Sequence, residues 1–358
     1  MNRFIKRVLF LLFFLSGFAS LMYQVIWTRM AFASFGIITP VLSVVVSVFM
    51  LGLAVGSWAG GRWIAPLTAK TGRSAAFFYA GAELVIGLGA FAVPKLFAVG
   101  EHLLLASGET DSFGYLSLSA LVLTASILPW CVCMGATFPF MMAYIRERDC
   151  RNTESFSFLY LANVLGAMSG TFLAAVVLVE LFGFHHTLWV AAASNFTIAI
   201  VGGCLGWKQR GCETLVAPEA EHSTRPRNVF LPGIARRRLI KWILFSTGFC
   251  AMAMEVVWIR GFTPVLKTQV YSFALVVFTY LGATFVGSWW YRRDIKRHSL
   301  WPTARLLGLL LVAAFLPVLA GDPRFVVMNW VAEIDPVSAL VVLVSICPFC
   351  AGLGYLTL

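Results

Sequence analysis

The stretch VLSVVVSVFMLGLAVGSWAG, residues 41–60, contains no charged side chain. A helix needs about 20 such residues to cross the roughly 30 Å hydrocarbon core of a bilayer. Comparable runs recur at 8–28, 38–60, 75–98, 116–143, 157–181, 186–206, 240–259, 268–290, 303–320 and 337–357, which predicts ten transmembrane helices. The runs are continuous, whereas the strands of a membrane barrel would alternate between apolar and polar residues. Of the 358 residues, 60% are hydrophobic and 12% charged, against about 25% charged in a soluble domain. The expected fold class is an all-α polytopic membrane protein, with the lipid bilayer as its first partner.

The net charge of +11 follows from topology. With the N-terminus inside, all Lys and Arg except Arg29, Lys95, Arg260, Lys267 and Arg324 fall before the first span or in the segments 62–73, 146–151, 208–241 and 292–305. The outer loops 99–114 and 321–336 carry Glu101, Glu109, Asp111, Asp322, Glu333 and Asp335. This asymmetry predicts a multi-pass protein with a cytoplasmic N-terminus, and no nucleic-acid partner is needed to account for the basic residues. The basic, then apolar N-terminus has the beginnings of a signal peptide. Its motif returns inside the chain, however, so the first span is expected to stay.

That motif is GFASLMYQVIWTR from Gly17, answered by GFCAMAMEVVWIR from Gly248. At one constant offset Gly17, Phe18, Val25, Trp27 and Arg29 match Gly248, Phe249, Val256, Trp258 and Arg260. The same register carries Val45, Val46, Gly56, Ser57, Trp58 and Arg62 onto Val276, Val277, Gly287, Ser288, Trp289 and Arg293. After a shortened connection, Pro129, Cys131 and Gly135 match Pro348, Cys350 and Gly354. Chance likeness between apolar helices would repeat Leu and Val, not Trp, Arg and Gly-Ser-Trp in order. The pattern predicts a tandem, parallel duplication: a six-helix repeat over 1–206, a basic cytoplasmic linker over 207–239 and a second repeat over 240–358. Because Leu358 answers to Pro139, within the fourth span of the first copy, the second repeat is expected to be cut short after four helices and the chain to be a fragment of a longer product.

Several stretches resemble a known family: SGFASLMYQVIWTRM, FMLGLAVGSWAGGRW, GAELVIGL, MGATFPFM and YLANVLGAMSGTFLAAVVLVELFGFHHTLWVAAASN. They are similar to the membrane portion of fused membrane/spermidine-synthase-like bacterial proteins, over nearly all of 10–206 and again over 246–357. The resemblance implies a bacterial inner-membrane module that anchors, and supplies, a fused or associated cytosolic polyamine-synthesis domain. That domain has an aminopropyltransferase fold, a methyltransferase-like Rossmann sheet that uses decarboxylated S-adenosylmethionine and a diamine. Neither its Gly-rich turn nor its acidic residues occur here, so no catalytic or cofactor-binding residue carries over. The parallel halves also resemble those of a major facilitator, which gives the alternative of a transporter for a cationic or amine solute. In GGRWIAPLTAKTGR, Gly72 and Arg73 fit the end of the facilitator loop signature Gly-x-x-x-Asp-Arg-x-Gly-Arg, but its Asp is missing.

Six residues form the candidate intramembrane polar site. Glu83 lies mid-span, where an ionised carboxylate costs about 2.5–3.5 kcal/mol on insertion scales. It reads either as a protonatable or amine-binding group facing the bundle interior or as a protonated side chain bonded to a neighbouring helix. Gln24 and Glu255 occupy one position in the two copies. A cationic ligand would favour the acid, while the plainer reading is a pair of interhelical polar contacts worth about 0.6 kcal/mol each. Arg29 and Arg260 are expected to close their helices on the outer side by capping and snorkelling, with a salt bridge to Glu83 or Glu255 as the alternative. Asn163 precedes the pair Gly166 and Gly170, which should admit a neighbouring helix closely and let Asn163 bond across the contact; Gly52 and Gly56 follow the same logic. The cysteines of CVC at 131–133 and CPFC at 347–350 read as small buried apolar residues. His185 and His186 lack ligand neighbours, so no metal site is expected.

Overall fold

In lipid, a backbone must satisfy its N–H and C=O groups within its own segment, and a helix does so. The computed structural model describes residues 3–37, 39–106, 112–148, 155–207, 233–266, 269–297, 299, 301–321 and 336–356. Among them run α1 (Arg3–Phe35), α2 (Thr39–Thr71), α3 (Ala75–Ala106), α4 (Ser112–Arg148), α5 (Ser155–Leu173), α6 (Val179–Trp207), α7 (Gly233–Leu266), α8 (Gln269–Lys296), α9 (Thr303–Ala320) and α10 (Pro336–Leu356). Eight segments are long and apolar enough to cross a membrane, the stretch Phe158–Trp207 counting as one, and α9 contributes a shorter apolar helix, Ala304–Ala320. The chain is therefore built as a multi-pass membrane protein. Most of the expected linker (208–232), parts of both outer loops (107–111, 322–335), Lys267, Arg324 and Leu358 lie outside the described residues.

Several boundaries differ from the sequence reading. The α1 helix runs on to Phe35 and α2 to Thr71: the added turns of α1 bury Ala31, Phe32 and Phe35 in the core, while α2 leaves the apolar run through its polar end, residues 68–71. Both stop at a glycine in left-handed conformation, Gly36 (φ 90°) and Gly72 (φ 63°). The N–H of Gly36 donates to Phe32 O at 3.1 Å and that of Gly72 to Thr68 O at 2.9 Å, the single-bond glycine stop. The α7 helix begins at Gly233, within the expected linker. Between α5 and α6 the helix widens into a π-turn over Ala174–Leu178, and the helical path breaks at Gly183 (φ 72°, ψ 178°).

Helix packing follows the small residues. The α2 helix lies along α4, α1 along α5, and α3 along both α4 and α6; α8 lies along α10, α9 along α10, and α5 along α8. A Cβ added to Gly56 would overlap Val132 O, and one on Gly135 would overlap Leu53 O. In the α8–α10 pair, Gly287 meets Ala351 O and Gly354 meets Thr284 O in the same way. Gly166 and Gly170 of α5 press on Phe14 O and Phe18 O of α1, while Gly17 presses back on Asn163 O. Trp27, Phe35, Phe49, Phe97, Trp258 and Phe273 belong to one buried cluster drawn from α1, α2, α3, α7 and α8. Leu84, Leu88, Phe91, Leu309, Leu311 and Phe315 are exposed, the outward apolar surface that lipid covers.

Candidate functional site

Along α3, Ala76, Tyr79, Ala80, Glu83, Ile86, Gly87 and Ala90 are buried, a stripe at helical spacing that turns Glu83 inward. Two neighbouring helices meet its carboxylate. Ser16 Oγ of α1 donates to Oε1 at 2.7 Å, and Asn195 Nδ2 of α6 donates to Oε2 at 2.6 Å. Tyr23 Oη of α1 then donates to Asn195 Oδ1 at 3.2 Å. Tyr79 is buried beside the same carboxylate and stacks on Phe13, ring centroids 6.1 Å apart. Both carboxylate oxygens thus hold hydrogen bonds, and the network ties α1, α3 and α6 together. Each oxygen accepts one bond, while Tyr79 Oη beside them has no hydrogen-bond partner among the described residues.

Gln24 and Glu255, matched by sequence register, are both buried, 1% and 2% exposed. Gln24 Nε2 has no hydrogen-bond partner among the described residues, while Thr28 Oγ1 donates to the Gln24 carbonyl at 2.7 Å. Glu255 differs from Glu83 in its surroundings. Among the described residues no side chain hydrogen-bonds its carboxylate, and Tyr280 of α8 and Cys350 of α10 lie within its electrostatic reach. Tyr160 of α5 neighbours Tyr280, so this carboxylate faces the region where α5, α7, α8 and α10 converge. The two carboxylates belong to separate helix groups, Glu83 among α1, α3 and α6.

The expectation for the arginines needs correction. Neither Arg29 nor Arg260 ends a helix, since α1 continues to Phe35 and α7 to Leu266. Arg29 is buried, and its Nη2 donates to Ala175 O at 3.5 Å, a carbonyl in the π-turn. Its Nη1 lies 3.8 Å from Glu180 Oε1, so its acidic neighbour is neither Glu83 nor Glu255. Arg260 is exposed.

Asn163 does bond across to α1, its Nδ2 donating to Phe13 O at 3.5 Å. Cys131 and Cys350 are buried, and Cys131 packs where Gly52 approaches α4. His186 is exposed, its Nδ1 3.0 Å from Phe182 O and its ring beside Trp189 at 5.0 Å. Arg73 lies over Phe77 (4.6 Å) and Trp207 (5.9 Å).

Sequence reading missed Ser16, Tyr23, Asn195 and Glu180. Asn195, in AAASNFTIAI, carried the signal that singled out Glu83, a polar side chain in mid-span. Ser16 and Tyr23 carried none, because hydroxyls are common in membrane helices and bond their own carbonyls, as Ser194 does to Val190 O at 3.0 Å. Compared with known families and with curated proteins, the chain matches none, so a functional reading stands on its residues and their geometry.

Proposed function

We propose that the chain is the membrane module of a spermidine-synthase-like bacterial protein, built from two parallel, major-facilitator-like halves with ten spans and the N-terminus in the cytoplasm. One observation carries this reading: the motif residues behind the family resemblance are the residues through which helices touch. Gly17 and Asn163 meet across α1 and α5, and Gly56 and Gly135 across α2 and α4. A likeness concentrated at helix contacts is a likeness of bundle architecture, which suits an anchor. The duplication is supported because matched positions make matched contacts, Gly287 and Gly354 repeating what Gly56 and Gly135 do. Arg62 lies over Trp58 at 6.0 Å and Arg293 over Trp289 at 5.9 Å, a further matched pair. The count of ten treats the break at Gly183 as a boundary between spans and includes α9.

The test is aminopropyl transfer from decarboxylated S-adenosylmethionine to a diamine, assayed in membranes carrying the natural product of the gene. Activity should sediment with the membrane and become soluble when residues 1–358 are deleted. A membrane product without that activity in any fraction would overturn the reading.

The second reading is transport of a cationic or amine solute, favoured by Glu255. A carboxylate that is buried and bonded by no described side chain has more capacity for an ammonium ligand than Glu83, each of whose oxygens already accepts a hydrogen bond. Proteoliposomes should take up labelled diamine, and Glu255→Gln should reduce uptake far more than Glu83→Gln. Equal uptake by wild type and Glu255→Gln rejects it.

A further inference from the structure

The end of α8 and the residue that follows it read YRRDIKR, three arginines within six residues. Together with Trp289 and with Leu161 of α5, Arg292, Arg293 and Arg297 line an open cavity of about 470 Å³. None of the described lining residues is acidic. The one carboxylate in the segment, Asp294, is buried and turned elsewhere, its Oδ2 accepting from Tyr355 Oη at 3.1 Å. None of the three arginines makes an ion pair with a described residue, and Arg293 is held over Trp289 at 5.9 Å. Among the described residues the cavity therefore gathers three arginines and no counter-charge.

Its depth is marked by indoles. Trp289, Trp290 and Trp301 are 52%, 48% and 43% exposed, and Trp290 and Trp301 meet edge to face at 6.4 Å. Exposed tryptophans gather at the level of lipid headgroups, and basic pockets between helices at that level receive headgroup phosphates. Arginine suits such a ligand because its fork pairs with phosphate oxygens bidentately.

We propose that Arg292, Arg293 and Arg297 form a phosphate-binding site between α8 and α5, taking the phosphate of an anionic phospholipid headgroup. A ligand seated there touches a helix of each half and strengthens the seam between them. The duplicated first half provides an internal control. Arg62 matches Arg293 and keeps the same stacking on Trp58, but the positions matching Arg292 and Arg297 are Gly61 and Pro66. The first copy has the stacked arginine without the cluster.

The experiment uses the full chain in an uncharged detergent, with lipid adducts counted by native mass spectrometry and inorganic phosphate offered alone and as competitor. Phosphatidylglycerol should be retained over phosphatidylcholine. Replacing all three arginines by Gln should lower that retention by at least about tenfold, the scale set by losing charge-assisted hydrogen bonds. Arg62→Gln should leave retention unchanged. If the triple variant does not fold, Arg297→Gln alone, at an exposed position, should still weaken retention about threefold. Binding of inorganic phosphate alone, with displacement of the lipid, keeps the phosphate chemistry and assigns a soluble source. Equal retention of both lipids with no phosphate binding, or losses in Arg62→Gln as large as in the triple variant, would overturn the site.

Discussion

The α1 and α7 helices carry one motif in two environments. In α1, Gly17 lies against Asn163 O of α5, whereas a Cβ on Gly248 would meet nothing within 4 Å among the described residues. Phe249 is 66% exposed, while Phe18 packs against the main core. Yet the other face of each helix is alike, since Trp27 and Trp258 are 0% and 3% exposed. A shared motif thus fixes which residues can receive a partner, and the neighbouring helix, α5 in the case of Gly17, decides whether they do. The comparison separates intrinsic helix character, held in common, from contact energy, present on one side.

The largest effect expected from this contrast is at the glycines. Gly17→Val forces side-chain atoms into a space already held by a backbone carbonyl, and backbone cannot give way as a flexible side chain can. The expected loss is about 3 kcal/mol or more, at the upper end of overpacking costs. Gly248→Val meets open space and should change stability by less than about 0.5 kcal/mol. Thermal unfolding of the two variants in the same detergent checks the difference, and equal losses would mean that the face of α7 is covered as closely as that of α1.

The carboxylates give the next contrast. Glu83→Ala strands Ser16 Oγ and Asn195 Nδ2 inside the bundle, and leaving buried groups unsatisfied costs about 1–3 kcal/mol. Glu255→Ala removes no hydrogen bond to a described side chain and should cost less, about 1 kcal/mol for the lost volume. Equilibrium unfolding in mixed micelles ranks them, and a larger loss for Glu255→Ala would reveal a bonding partner for that carboxylate.

How far the sequence discloses this arrangement depends on the reach of each signal. Apolar run length places the helices, because crossing lipid imposes a length on every one of them. Helix ends are less legible, as the continuation of α1 beyond Arg29 illustrates, since polar residues can end a helix or simply leave the hydrocarbon. The glycine contacts are legible through the repeat, which marks Gly56 and Gly287 as equivalent by residue identity and register alone. Glu83 is conspicuous by its charge, but the identity of its partners depends on the rotation of α1 and α6, and helices whose composition is apolar on every face do not encode that rotation. Glu180 was hidden for a related reason: pairing it with Arg29 requires the π-turn at Ala174–Leu178 to bring the start of α6 against α1.

The arginines offer the smallest and most discriminating contrast. Arg29 is buried, but Glu180, 3.8 Å away, has a side chain 51% exposed, so solvent screens their attraction and such half-exposed pairs contribute about 0–1 kcal/mol. The bond to Ala175 O is long at 3.5 Å and adds little. Arg29→Gln should therefore cost about 1 kcal/mol, while Arg260→Gln, at an exposed position, should alter thermal stability too little to resolve. Glu180→Gln sharpens the comparison, because it removes the ion pair and leaves the π-turn contact in place. If Glu180→Gln reproduces the loss of Arg29→Gln, the charge pair is the source. If Glu180→Gln is neutral while Arg29→Gln is not, the guanidinium acts through the Ala175 carbonyl, a contact that the matched Arg260 at its exposed position does not share.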